Sequence, residues 1–132
     1  MTRSARSRLL LDTHVVLWWF GASPRLPPLV RAAIEVAPSV NVSTVTPWEI
    51  AIKVATGRLE VDLEALGDAL AAIGTPLLAT SVAHAIELRD LPPHHRDPFD
   101  RMLVAQARVE GLTLVSADRA LSAYDVPVLR NG

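Results

Sequence analysis

Short apolar runs alternate with stretches of helical periodicity along almost the whole chain. Leu9-Leu10-Leu11, closed by Asp12, predicts a buried strand over residues 8–11, and residues 13–20 read as a helix directly after it. Gly21-Ala22-Ser23-Pro24 is a turn, and a second helix is expected over 26–36 with Pro27 and Pro28 in its first turn. Residues 40–45 alternate apolar and small polar side chains and predict a strand. Thr46-Pro47-Trp48-Glu49 then opens a helix to about Thr56, with a capping box between Thr46 and Glu49 and a stop at Gly57. An alanine- and leucine-rich helix over 63–73 ends at Gly74, a short strand is expected over 76–79, and another helix over 82–89. After the loop Pro92-Pro93-His94-His95-Arg96, Asp97-Pro98-Phe99-Asp100 starts the most regular helix. It places Met102, Leu103, Ala105, Gln106 and Val109 at helical spacing and stops at Gly111. A strand over 112–115, a short helix over 119–123 and an edge strand over 126–129 complete the pattern. Strands that alternate with helices call for a parallel sheet, here of about four to five short strands, covered on both faces. No repeat or linker interrupts it, so residues 1–132 read as one domain, with a basic, flexible tail over 1–7.

Composition narrows the functional classes. The chain is 50% hydrophobic, enough for a real core, yet its apolar stretches are broken before they reach the ~18 residues that a membrane span needs. With no cysteine, neither a disulfide framework nor a thiolate zinc site is available, and a soluble cytoplasmic protein is the expectation. A formal net charge of −1 argues against a generally basic surface that coats nucleic acid, so any RNA contact must be local. Lys53 is the single lysine among 13 basic residues.

In an open parallel sheet, ligands bind beyond the carboxyl ends of the strands. Asp12, Glu49, Asp100 and Asp118 are all expected there: Asp12 and Asp118 just after strands, Glu49 and Asp100 each at the third position of a helix that begins with proline. Singly, each has a structural role as cap or dipole partner, as does Asp97 as an N-cap. Jointly, carboxylates gathered in one place resist simultaneous ionisation and need a cation. An all-oxygen donor set selects a hard ion, Mg²⁺ or Mn²⁺ rather than zinc. Such an ion activates water and stabilises charge on a phosphodiester in displacement. Thr13 and Ser116, hydroxyls beside two of the acids, can hold ligand oxygens or waters, or simply cap helices.

The segments LLLDTHVVLWW (9–19), VSTVTPWEIAIKVATGRLEV (42–61) and HHRDPFDRMLVAQARVEGLTLVSAD (94–118), with VPVL near the end, resemble the VapC-type PIN-domain toxins of type II toxin–antitoxin systems. The resemblance runs nearly the full length. It implies a three-layer α/β/α fold and an acidic quartet, here Asp12, Glu49, Asp100 and Asp118, that binds Mg²⁺ or Mn²⁺ and cuts RNA endonucleolytically. Asp97 is implied as a fifth acid near the site, and Ser116 matches the hydroxyl two residues before the last acid. A homodimer, a VapB-like antitoxin and tRNA or ribosomal RNA as target are also implied.

Other residues are open to two readings. Trp18 and Trp19 cannot both face the core, so one is expected at a half-buried flank or a subunit contact. His94 and His95 read as solvent-exposed loop residues, with RNA contact or a poised water as the alternative, while His14 and His84 are expected to pack. Arg96, Arg101 and Arg119 flank the acids and suit either substrate phosphates or neutralisation of the acids; the three arginines of the first eight residues, Arg3, Arg6 and Arg8, can also touch RNA. Two rival functions remain: a non-catalytic regulatory or binding module of the same fold, and a metal-dependent phosphatase. The phosphatase wants a second aspartate where His14 stands and a lysine beside the acids, whereas Lys53 falls mid-helix after Glu49.

Overall fold

The computed structural model describes residues 8–74, 76–124 and 128–130. Strand β1 (Arg8–Leu11) leads into α1 (Thr13–Phe20) and α2 (Pro28–Val36), then β2 (Ser39–Val42), α3 (Val45–Ala55), α4 (Leu63–Ala72), α5 (Val82–Asp90) and α6 (Pro98–Glu110). Strand β3 (Thr113–Ser116), a 3-10 helix (Arg119–Ala123) and β4 (Val128–Arg130) complete the order. The strands form one parallel sheet in the order β2-β1-β3-β4, with Leu11 in register with Val42 and Val115, and Val115 with Leu129. Because successive side chains of a strand point to opposite faces, Leu9 and Leu11 enter one core and Leu10 another. The first holds Val15, Val16, Val30, Ile34, Ile50, Leu66 and Leu70 from α1 to α4; the second holds Leu91, Leu103, Val104, Ala107 and Leu121 from α6 and its flanking segments. This is the expected three-layer α/β/α arrangement. Among the described residues no helix is long and apolar enough to cross a membrane. The expected flexible tail over 1–7 and the start of the last strand at 126–127 lie outside the described residues.

Several local expectations give way. Strand β2 stops at Val42 and α3 begins at Val45, because the Ser43 hydroxyl accepts the Val45 N–H at 3.0 Å and turns the chain early. Glu49 is therefore the fifth residue of α3 rather than the third, and there is no capping box: Thr46 is buried with its hydroxyl unpartnered, and Glu49 points elsewhere. The strand expected over 76–79 shrinks to one bridge, Ser43 to Leu78, held by the Leu78 N–H to Val42 and the Thr44 N–H to Leu78. Helix α2 starts at Pro28 with Pro27 as its cap. Helix α6 is framed as expected: the Asp97 carboxylate accepts the N–H groups of Phe99 (2.8 Å) and Asp100 (3.1 Å), and Gly111 takes φ +68 at the other end. Trp18 and Trp19 are both half-buried against the first core.

Candidate active site

Parallel strands end together, so the residues just beyond β1 and β3 are brought to one edge. The Asp12 N–H donates to the Val115 carbonyl at 3.0 Å, tying the two strand ends, and the buried Asp12 carboxylate caps α1 by accepting the Val15 N–H at 2.9 Å. Ser116, also buried, links two of the acids: its hydroxyl donates to the Asp12 carboxylate and accepts the Asp118 N–H at 3.0 Å. Thr13 donates to Glu49 Oε1 at 2.6 Å, fixing α3 against α1. Glu49 Oε2 accepts from Lys53 Nζ at 2.9 Å, one helical turn on. The single lysine thus stands beside an acid after all, so the lysine argument against a phosphatase falls. The argument from His14 stands.

Asp12, Glu49, Asp97 and Asp100 act on one another electrostatically. Burial raises the Asp12 pKa above the usual carboxylate range, and the Glu49 charge adds to the rise; Ser116, the Val15 N–H and His14 oppose it. Asp100, on the first turn of α6, is pushed up to about 7, first by burial and then by the charges of Asp97, Asp12 and Glu49, with His95 opposing. Asp118 is more exposed than Asp12, Glu49 and Asp100. Burial alone would raise it, but the Ala120 N–H and His95 prevail and hold it below its ordinary value.

Asp118 is joined to the other acids by a residue expected in solvent from its place in a proline-rich loop. His95 is largely buried; its Nε2 lies 2.8 Å from Asp118 Oδ2 and 3.6 Å from Asp100 Oδ2. His94, by contrast, is exposed and sets its ring edge-on to Tyr124, with centroids 5.1 Å apart. The other two histidines divide as well. His84 packs, fully buried, accepting the Ser81 N–H at Nδ1 and donating from Nε2 to Glu110. His14 does not: it is exposed, and its charge acts on Asp12 and Asp118. Nor is Arg101 turned to phosphate or to the acids. Its Nη1 donates to the Pro92 carbonyl (3.0 Å) and the Tyr124 hydroxyl (3.2 Å), and its Nη2 to the carbonyls of Leu88 and Leu91, each at 3.4 Å, so it fastens the 91–96 loop. Arg96 and Arg119 are exposed. Trp48 and Phe99, the sequence neighbours of Glu49 and Asp100, meet edge to face at 5.0 Å, with Trp48 61% exposed.

The donor set is one of carboxylates steadied by hydroxyls and main-chain amides, from four separate stretches of chain. Lys53 offsets Glu49, while Asp12 and Asp100 are left with raised pKa values, which is the condition that a hard divalent cation relieves. Residues 9–127 match the PIN domain model. The chain belongs to the PIN domain family. This PIN domain is 32% identical over 126 residues to Ribonuclease VapC22 of Mycobacterium tuberculosis, covering 90% of this chain and 93% of that protein. It is similar in fold to the structure of VapBC2 from Rickettsia felis bound to a promoter DNA fragment, with a TM-score of 0.70 at 12% identity, covering 94% and 98% of the two chains. It is also similar to VapBC-5 from Mycobacterium tuberculosis, with a TM-score of 0.64 at 20% identity and 95% and 99% coverage.

Proposed function

We propose that this PIN domain is a divalent-metal-dependent endoribonuclease and the toxin of a toxin–antitoxin pair. The observation that carries the reading is Asp100, held up to about 7 amid the charges of Asp97, Asp12 and Glu49: the cluster is short of positive charge where an RNA phosphate would have to come. The name of the mycobacterial relative supports ribonuclease activity, and the VapBC names of the fold neighbours support a VapB-like antitoxin as partner. A homodimer, tRNA or ribosomal RNA as substrate, and a cytoplasmic site of action belong to the same reading.

Asp12, Asp100, Asp118 and Glu49 would hold the ion, Mg²⁺ or Mn²⁺ by the chemistry of the donors. Bound there, it supplies an activated water and charge stabilisation on the phosphodiester. Thr13 keeps Glu49, and Ser116 keeps Asp12, from turning away, since each donates a hydrogen bond to the carboxylate it supports. Glu49 retains a free lone pair on each oxygen beyond those taken by Thr13 and Lys53. Asp97 caps α6 and so fixes the backbone that carries Asp100.

The test is cleavage of total RNA by the purified protein in Mg²⁺ or Mn²⁺, with chelator and with Asp12→Asn and Asp100→Asn as controls. Cleavage should stop in chelator and fall by at least about a hundredfold in each variant, beyond the range usual for residues that only support a ligand. Variants that cut as well as the parent would make the acids structural and favour a non-catalytic binding module.

A further inference from the structure

We propose that His95 is a positioning residue that holds Asp118 in the metal site as a hydrogen-bond donor and is not itself a ligand. The inference rests on the metal-site reading above. One nitrogen of His95 and one oxygen each of Asp100 and Asp118 lie within 4.8 Å of one another, a spacing that by itself suits an ion held by all three. The other ring nitrogen decides against it. The Asp97 N–H, which can only donate, points at His95 Nδ1 at 3.0 Å, so Nδ1 is an acceptor and the ring proton sits on Nε2. Nε2 therefore faces Asp118 Oδ2 as an N–H donor at 2.8 Å. To ligate a cation it would have to shed that proton and abandon the amide that opens α6.

Asp118 needs such a support. Its side chain is 42% exposed and sits at the start of a 3-10 helix of five residues, held locally by one bond to the Ala120 N–H. Asp12 and Glu49, by contrast, are buried on or beside longer helices. His95 is itself braced: its main-chain N–H donates to the Tyr124 hydroxyl at 3.0 Å, and Arg101 donates to the same oxygen. The chain Arg101, Tyr124, His95, Asp118 joins the loop before α6 to the turn after β3, and it fixes one oxygen of the Asp118 carboxylate, which would hold that side chain in place for an ion.

The experiment is Mn²⁺ titration monitored by electron paramagnetic resonance, with pulsed detection of nitrogen coupling on the bound ion. The parent should bind Mn²⁺ with no imidazole coupling. His95→Ala should weaken binding about tenfold or more, the range for residues that support a ligand, and His95→Gln should recover most of it, since the glutamine amide can place an N–H where Nε2 was. In an Asp118→Asn background, His95→Ala should cost nothing further, because its effect passes through Asp118. Tyr124→Phe, which keeps the ring and removes the hydroxyl that accepts from His95, should weaken binding in the same direction even if His95→Ala folds poorly. Imidazole coupling in the parent, unchanged affinity in His95→Ala, or additive losses in the double variant would each overturn the assignment while leaving the metal site intact. A parent that binds no Mn²⁺ would overturn the metal-site reading and the assignment with it.

Discussion

Removing the Asp100 charge should stabilise the metal-free protein. In the fold this carboxyl titrates at about 7, against 3.8 for the unperturbed side chain, because burial and three neighbouring carboxylates disfavour its ionised form. Between those values the folded chain keeps a proton that the unfolded chain has released, so stability falls as pH rises through the window, and the whole loss is in place above about 7. A shift of about 3 units corresponds to roughly 4 kcal/mol at pH 8 and to roughly 2 kcal/mol at pH 5. Asparagine keeps the shape and cannot ionise. Asp100→Asn should therefore melt above the parent in chelator at pH 8, and the gap should be wider than at pH 5 by about 2 kcal/mol, some 6–10 °C for a chain of this length. Saturating Mn²⁺ should reverse the order, since the parent gains binding energy that the variant lacks. Thermal melts at the two pH values, with chelator and with Mn²⁺, read all of this. A parent that melts at or above the variant in chelator at pH 8, or a gap that does not widen with pH, would refute the charge-crowding argument.

Ser116→Ala removes both the donor to Asp12 and the acceptor for the Asp118 N–H, so RNA cleavage should fall about 10–100-fold while the melting temperature moves by the equivalent of roughly 1 kcal/mol; unchanged cleavage would show that Asp12 is fixed without it. Arg101→Lys should lower stability by about 1–3 kcal/mol in denaturant unfolding, because an ammonium cannot reach the four acceptors that the guanidinium spans. The salt dependence of KM should stay as in the parent, whereas a shallower slope would return Arg101 to the phosphate-binding role suggested by its position in the sequence.

The layered sheet and the gathering of Asp12, Glu49 and Asp100 were legible because each depends on local pattern: an apolar triplet ended by an acid, a proline-led helix with Asp97 as cap, and strands alternating with helices. What failed depends on contacts across the chain or on a single competing bond. Val40-Asn41-Val42-Ser43 alternates as a strand does, and β-branched Thr44 and Val45 suit its continuation, yet the Ser43 hydroxyl turns to the Val45 N–H where the helix begins. The pairing of His95 with Asp118 spans 23 residues and leaves no periodic trace. One signal was available for it: a histidine two residues before an N-cap can accept the amide of that cap, which is how His95 is oriented. Lys53 was readable too, four residues after Glu49 on one helix face. Arg101 stands next to Asp100 in sequence, yet adjacent helical positions point about 100° apart, and it turns to the loop carbonyls instead.

Anomalous diffraction from crystals soaked in Mn²⁺ tests the central claim most directly. A peak should lie among the carboxylates of Asp12, Asp100 and Asp118, with Glu49 in contact directly or through water, and it should vanish in Asp100→Asn. A Mn²⁺ peak held by other residues, or no peak while the four side chains keep their places, would contradict a divalent-metal site built by these acids.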